Sequence, residues 1–413
     1  MTFTLTDDQL LDIAGGLARD IKTGLATDES DILAIPAFIP LDRSPGPGMV
    51  LALDVGGTNA RCAVVSLDDH GRLTVEQGPL KRKIPVSRGE PTDPDEFLDV
   101  LAGLIQDLNP PRGLPIGYCF SYPARPTPDR DALILDWTKE LFVRDTIGRK
   151  AGQILRRHLN DKDPGLMGRE VTVINDTVAT LLAGLAESTA DGNIGLIIGT
   201  GTNIAIMLSP DLIPKLSPRP AGNSPLPVNL ESGNFKPPHL THWDEELDAS
   251  SHNPSRQRFE KAVSGFYLPG LFKLACPDSS VNPADSSAVL IEKAWSAKSR
   301  NFSGSPDRAA ATEADIARQI LERSARLIAA ALAGVFLFLK ETTGATSVSI
   351  TVEGGLYQSH PRYREIMTAT LEVLSRELNL DSAAVTIQTV ANANLTGCAM
   401  AGLAGLDRAS PGP

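Results

Sequence analysis

Val50-Leu51-Ala52-Leu53-Asp54-Val55-Gly56-Gly57-Thr58-Asn59-Ala60-Arg61 reads as a strand, a glycine turn and the start of a second strand. The apolar run from Val50 ends in an acid, Asp54, and a second largely apolar run follows from Arg61 to Val65. The same pattern returns downstream. Asn193 to Ile198 is apolar, Gly199-Thr200-Gly201-Thr202-Asn203 is the turn, and Ile204 to Leu208 is the second strand. The second turn's Asn203 stands 144 positions after Asn59 of the first. Matching strand-turn-strand units at domain-sized separation point to a duplicated α/β domain.

The rest of the chain fits that class. Ile116 to Phe120 and Val171 to Ile174 are strand-like, and Thr177 to Ala186 has helical spacing with Thr177 as its cap. Upstream, Asp7 to Leu25 is an amphipathic helix, followed by a Pro-rich connection from Ile35 to Met49. Downstream, Ile213 to Pro238 is Pro-rich and reads as a loop, and Ser299 to Arg308 as a second, polar one. Ala314 to Thr342 and Tyr363 to Leu378 are helical, Ser347 to Glu353 and Ala384 to Val390 are strands, and Thr396 to Leu406 is a helix of small residues. Strands and helices mix throughout, so the class is α/β. A chain of 413 residues exceeds one ordinary core. The expected division is a small lobe over 1–175 with the N-terminal helix attached, and a large lobe over 176–395. The C-terminal helix, about 396–413, is expected to pack back on the small lobe.

Composition narrows the function. Hydrophobic residues make up 42% and charged residues 22%, as in a globular protein. A net charge of −11 argues against nucleic-acid binding, which needs a basic face. It leaves anionic small ligands open, since backbone amides and a metal can hold phosphates inside an acidic protein. Cys62, Cys119, Cys276 and Cys398 are scattered and form no C-x-x-C pair, as expected for reduced thiols in a cytoplasmic protein. The N-terminus carries acids and no positive leader segment. The apolar run from Leu327 to Leu339 is too short to span a bilayer and reads as a core helix, so no membrane partner is expected.

The glycine turns are the first candidates for chemistry. Glycine lets the backbone approach a ligand, and consecutive amides in such turns form an anion-binding concavity. Two of them could clamp a polyphosphate from two sides. Asp54, at the end of an apolar strand, needs a partner there, and Mg²⁺ or its bound water is one option; capping the turn is the other. No G-x-x-x-x-G-K-[ST] loop is present, so phosphates, if bound, are held by another fold.

Leu51 to Arg61 resembles the first phosphate loop of the hexokinase family. Phe120-Ser121-Tyr122-Pro123 and Trp137-Thr138-Lys139 resemble its sugar-contact segments. Asn175-Asp176-Thr177-Val178-Ala179-Thr180 is similar to its catalytic segment, and Gly195 to Asn203 to its second phosphate loop. Asn253-Pro254 with Phe259-Glu260-Lys261 resembles a further sugar element. Val352-Glu353-Gly354-Gly355 with His360-Pro361 resembles the adenosine loop. All seven occur in family order. The resemblance implies the actin-like (ribonuclease H-like) fold, two α/β lobes around a central cleft, and an ATP-dependent hexokinase using Mg²⁺. It implies Asp176 as the base that takes the proton of a sugar hydroxyl and Lys139 as a cation near the transferred phosphoryl group. Sugar contacts would be Ser121, Thr138, Lys139, Asn175, Asp176, Asn203, Glu231 and Glu260. Nucleotide contacts would be Asp54, Gly56, Gly57, Thr58, Asn59, Arg61, Gly199, Thr200, Gly201, Gly354, Gly355 and Asn394. Mg²⁺ would reach Asp54 through water, with no direct protein ligand.

The chain departs from the family pattern in three places. Leu230-Glu231-Ser232-Gly233 stands where the family has Thr-Glu-Trp-Gly, Glu140 replaces a glycine, and Ala393-Asn394-Leu395 replaces Gly-Ser-Gly. His239 and His242, spaced H-x-x-H before three acids, match no zinc spacing and read as solvated loop histidines. Glucose is the expected hexose. Another sugar, or a non-catalytic sugar sensor on the same fold, is the alternative, and the chain is expected to be a monomer or homodimer.

Overall fold

The computed structural model describes residues 3–41, 45–69, 72–85, 87, 90–138, 141–163, 170–220, 222–295 and 312–404. Lys139 and Glu140, the polar loop 299–308 and the tail 407–413 lie outside the described residues.

The chain begins with α1 (Asp7–Ala26) and β1 (Ile35–Pro36), then β2 (Gly48–Val55), β3 (Asn59–Leu67), β4 (Leu73–Lys83), α2 (Pro94–Leu108) and β5 (Ile116–Phe120). A small hairpin, β6 (Ala124–Pro126) and β7 (Ala132–Ile134), precedes α3 (Ala151–Lys162), β8 (Val171–Ile174) and α4 (Asp176–Leu185). Next come β9 (Gly192–Ile198), β10 (Thr202–Leu208), β11 (Leu226–Asn229), α5 (His242–Ser250), α6 (Arg258–Val263), α7 (Leu268–Ala275) and α8 (Ser287–Trp295). The chain closes with α9 (Glu313–Thr343), β12 (Val348–Glu353), α10 (Gly355–Ser359), α11 (Pro361–Glu377), β13 (Val385–Gln388) and α12 (Ala393–Ala404).

These form two large sheets. The first runs β4-β3-β2-β5-β8 and the second β1-β11-β10-β9-β12-β13. In each, an antiparallel hairpin of three strands is extended by two parallel strands: β5 and β8 beside β2, β12 and β13 beside β9. Apart from the added β1, both sheets therefore share one strand order. The duplication visible in the two glycine turns extends to the whole topology.

Local sequence explains the framing helices. A Thr6–Gln9 capping box opens α1, and Leu10, Ile13, Leu17 and Ile21 recur at helical spacing on its buried face. A Thr312–Asp315 capping box opens α9, and Gly344 ends it in the left-handed region at φ 74°. The Leu327–Leu339 run lies inside α9. Among the described residues no helix is long and apolar enough to cross a membrane. The four cysteines are unpaired, and three of them are buried.

Three expectations need correction. The N-terminal helix does not belong with the first sheet: the buried side chains of α1 share one core with β9, β10 and α9, and Gly334 of α9 lets the Ala14 carbonyl come within the space a Cβ would fill. The Pro-rich segment 213–238 is not all loop, because Leu226–Asn229 forms β11 and pairs antiparallel with β10. Its apolar residues are buried, which outweighs the prolines that flank them. Third, α4 is capped by Asn175 rather than Thr177. The Asn175 side chain accepts from the Thr177 amide, and Thr177 itself is fully buried in the first turn.

Candidate active site

Parallel strands bring their C-terminal ends to one edge of a sheet, where open α/β folds place ligands. In the first sheet β2 ends at Asp54-Val55, β5 ends just before Ser121, and β8 ends just before Asn175-Asp176. These ends converge on a cleft of about 300 Å³, lined by Asp54, the Gly56–Asn59 turn, Arg61, Ser121, Asp176 and Asn394, together with Lys81.

The first glycine turn is closed by Gly56 N–H donating to the Asn59 carbonyl at 3.0 Å, and Tyr122 Oη donates to the Gly56 carbonyl at 3.0 Å. Asp54, only 5% exposed, faces Arg61 directly across the β2–β3 register. Arg61 Nη2 and Nε donate to Asp54 Oδ2 at 2.6 and 3.0 Å, and Asn394 Nδ2 donates to Oδ1 at 3.3 Å. Burial works against the Arg61 charge, but the Asp54 carboxylate outweighs it and holds the guanidinium above its ordinary value. Asn394 Oδ1 is buried without a hydrogen-bond partner among the described residues. It sits in the first turn of α12, which lies across β2 and β5.

Asp176 occupies the first position of α4, where the helix dipole favours a carboxylate. Its Oδ1 accepts from Thr177 N–H at 2.8 Å, as does Asn175 Oδ1. Ser121 N–H donates to the Val55 carbonyl at 3.1 Å, joining the tips of β5 and β2.

A second polar group is built on the other sheet. Asn203 Oδ1 accepts from Ser232 N–H at 3.1 Å, and Asn203 Nδ2 donates to Asn229 Oδ1 at 2.7 Å. Asn229 Nδ2 in turn donates to Glu231 Oε1 at 2.6 Å. Glu260 Oε2 accepts from Thr202 N–H at 2.9 Å. Glu231 takes a left-handed backbone, φ 53°, uncommon for a residue with a side chain. Burial pushes its carboxyl up to about 7; the Asn229 bond opposes this, and the charges of Asp176 and Glu260 add to it. That mutual effect puts the three acids in one neighbourhood. Ser232, where a tryptophan is the family residue, is fully buried, and its hydroxyl has no partner among the described residues.

The second glycine turn meets the third. Gly199 N–H donates to the Gly201 carbonyl at 2.9 Å, and a Cβ on Gly199 would reach 3.1 Å from Gly355 N. Gly354 has φ 126°, and a Cβ there would collide with the Ile198 carbonyl oxygen. A Cβ on Gly201 would stand 2.7 Å from Glu260 Oε2. Two small loops are thus pressed together with no room for side chains between them.

The structure brings most of the sequence candidates into these two groups. Thr138 is exposed, with its carbonyl accepting from Leu141 N–H at 3.2 Å. Sequence reading missed four residues. Asn229 bridges Asn203 to Glu231, and nothing in the sequence, which reads as a loop there, pointed to it. Gly265 and Phe266 donate their amides to the Gly199 and Thr200 carbonyls at 2.7 and 3.2 Å. Phe266 is 56% exposed beside that turn, and Gly265 was the available signal. Lys81, at the end of β4, lies in a polar stretch for which there is no sequence-based reading. The His239–His242 segment is a surface feature: His239 Nε2 lies 2.8 Å from Asp12 Oδ2. Among the described residues no group of three His, Cys, Asp or Glu could hold a metal.

Comparison with known proteins gives this geometry a family. Residues 1–186 match one family model described as hexokinase, and residues 193–309 and 278–404 match a second model with the same description. The chain is 29% identical to the chloroplastic hexokinase-2 of Nicotiana tabacum, over 89% of this chain and 82% of that one. It is 26% identical to hexokinase-3 of Homo sapiens, over 90% of this chain and 43% of that one. Among solved structures, the hexokinase of Schistosoma mansoni complexed with glucose shares the fold with a TM-score of 0.74 at 21% identity, covering 97% and 96% of the two chains.

Proposed function

The chain belongs to the hexokinase family and is a hexose kinase, and from that premise we propose that it transfers the terminal phosphate of Mg-bound ATP to the 6-hydroxyl of glucose, with Asp176 as the general base. One observation carries the assignment: Asp176, Ser121 and the Gly56–Asn59 turn line a single cleft. Base, sugar segment and phosphate turn then meet where a hydroxyl and a phosphorus atom would have to meet.

In this reading the hexose lies against Asn203, Glu231, Glu260, Ser121 and Asn175, whose acceptors and donors suit hydroxyls that both give and receive hydrogen bonds. Asp176 takes the proton from the primary hydroxyl as its oxygen bonds to the terminal phosphorus, and the bond to the ADP oxygen breaks. The amides of the two glycine turns hold the phosphate chain. Asp54 is the carboxylate on the phosphate side of the cleft. It fits a magnesium ion held mainly by phosphates and water, because Mg²⁺ keeps much of its hydration and needs few protein ligands. Bound with the nucleotide, Mg²⁺ offsets negative charge on the phosphates. Lys139 adds a further cation in this proposal. Glucose is the proposed hexose because the solved hexokinase of like fold is complexed with glucose.

The test is ADP release in a coupled assay with Mg-ATP and single hexoses. Release that depends on glucose supports the reading. Sugar binding by calorimetry without release on any hexose would replace it with a sugar sensor.

A further inference from the structure

We propose that the outer face of α3 is a docking surface for an acidic segment of a partner protein, with Arg149, Arg156 and Arg157 as its carboxylate-binding groups. Two adjoining depressions mark the surface. The first, of about 410 Å³, is lined by Asp129, Arg130, Lys150, Arg156 and Glu170, among others. The second, of about 490 Å³, is lined by Arg149, Gln153, Arg156, Arg157 and Asn160, with Ile154 at its base. Gln153 and Arg156 line both, so the two form one continuous face.

Helical spacing puts these side chains there. Ile154, Leu155 and Leu159 are buried in the core of the first sheet, which leaves Gln153, Arg156, Arg157 and Asn160 exposed on the other side of α3. The start of the helix is already capped: Asp131 Oδ1 and Oδ2 accept from the Gly152 and Gln153 amides at 2.7 and 2.9 Å. Anion binding at this face therefore falls to side chains. Lys150 is paired with Asp129 at 2.5 Å and Arg130 with Glu170 at 3.6 Å. Arg149, Arg156 and Arg157 form no salt bridge among the described residues. Three surplus guanidinium groups are thus gathered on one face of a chain whose net charge is −11. On the second sheet's half, by contrast, Lys22, Lys236, Arg258, Lys293 and Arg326 each have an acid as partner.

The mixture of charges selects the kind of partner. A uniformly charged polyanion, such as a nucleic acid or an anionic bilayer, would meet repulsion from Asp129 and Glu170. A peptide can place separate carboxylates on the three arginines and neutral residues between them. The planar guanidinium fork matches a carboxylate with two parallel hydrogen bonds, and arginine clusters are a recurring way to read acidic motifs. Lengths agree as well: the 12 residues of α3 extend about 18 Å, and six residues of extended peptide reach about 20 Å. Glu170, Val171 and Thr172, at the start of β8, line the first depression, whereas Asp176 follows the end of that strand. A docked segment therefore lies away from the cleft and leaves it open to its ligands.

The experiment titrates the full chain into a fluorescein-labelled Glu-Ser-Glu-Ser-Glu-Ser peptide and reads anisotropy. Saturable binding that weakens as salt rises is expected. The Arg156→Gln/Arg157→Gln double variant should lose about tenfold in affinity, the scale of two partly exposed ion pairs. Arg376→Gln, which removes an exposed cation of α11 outside both depressions, should bind as wild type. Hydrogen exchange on the wild-type complex should show protection over 149–160, a readout that does not depend on any variant folding. Absence of saturable binding, an equal loss in Arg376→Gln, or protection confined to another face overturns the proposal. So does tighter binding of single-stranded polyuridylate or of phosphatidylserine vesicles than of the peptide, which would assign the face to a polyanion instead.

Discussion

Asn175 and Asp176 share one donor: the Thr177 amide lies 2.8 Å from Asn175 Oδ1 and 2.8 Å from Asp176 Oδ1. The bond fixes one oxygen of the Asp176 carboxylate against the helix start, so the group enters the cleft in a set orientation. Asp176→Ala is expected to lower kcat by about three orders of magnitude, the scale of a lost general base, while hexose affinity changes little. Near-normal turnover in that variant would sink the assignment. Thr177→Pro, which removes the shared amide, is expected to lower kcat as well by freeing the carboxylate.

Glu231 gives the site a pH dependence of defined sign. A sugar hydroxyl donating to Glu231 requires the ionised carboxylate, and the group titrates at about 7 in the free protein. Hexose affinity should therefore weaken as pH falls through about 7 and level off above about 8, with Glu231→Gln giving weaker, pH-independent binding. Calorimetry from pH 6 to pH 8 checks this. A wild-type affinity that is flat over the range would exclude Glu231 as an ionised acceptor. The raised value has a second effect: its contribution to the stability of the ligand-free chain is full below the ordinary value of 4.5 and is lost as pH rises through about 7.

Gly354 is required twice, by its φ of 126° and by the Ile198 carbonyl where a Cβ would stand. Gly354→Ala is expected to lose about 2–4 kcal/mol of stability from strain and overlap. The loop must then move off the Gly199 turn, so KM for ATP should rise with the hexose KM little changed. Urea denaturation and steady-state kinetics read the two effects separately. A variant as stable as wild type would show that the two loops are not in contact.

Arg323 and Asp244 form a buried bidentate pair, with Nη1–Oδ2 at 2.7 Å and Nη2–Oδ1 at 2.8 Å. Arg323 also covers the Phe3 ring, 4.9 Å from its centroid. Arg323→Met leaves the buried Asp244 carboxylate without its counter-charge, held only by the Thr241 amide and hydroxyl, so a loss of about 3–5 kcal/mol is expected in denaturation. Kinetic constants measured well below the melting temperature should stay close to wild type, because the pair lies outside both polar groups of the cleft. A large change in kcat would reveal coupling to the site.

The two glycine turns were legible because their chemistry is local: glycines, a following Thr-Asn and flanking apolar runs all fall within about a dozen residues. Asp176 was legible for the same reason, at a strand end before a helix. What stayed hidden depends on partners far along the chain. The Asp54–Arg61 pair follows from hairpin register, but the Asn394 bond to Asp54 joins residues 340 positions apart. Asn229 matters only because β11 pairs with β10, and the prolines around it suggested a loop. The N-terminal helix showed which face was apolar without showing which sheet would cover that face.

The placement of the chain ends has a consequence for how the molecule comes apart. α1 and β1 join the second sheet, β2 to β5 and β8 build the first, β9 to β13 return to the second, and α12 lies back on the first. The polypeptide thus passes between the two halves three times. A single cut between β8 and β9 would yield two fragments that each own pieces of both halves, like clasped hands. Neither could leave without dismantling a sheet or stripping a helix from a core. A nicked chain should therefore stay together as a non-covalent pair, and the two fragments expressed separately should reconstitute by complementation.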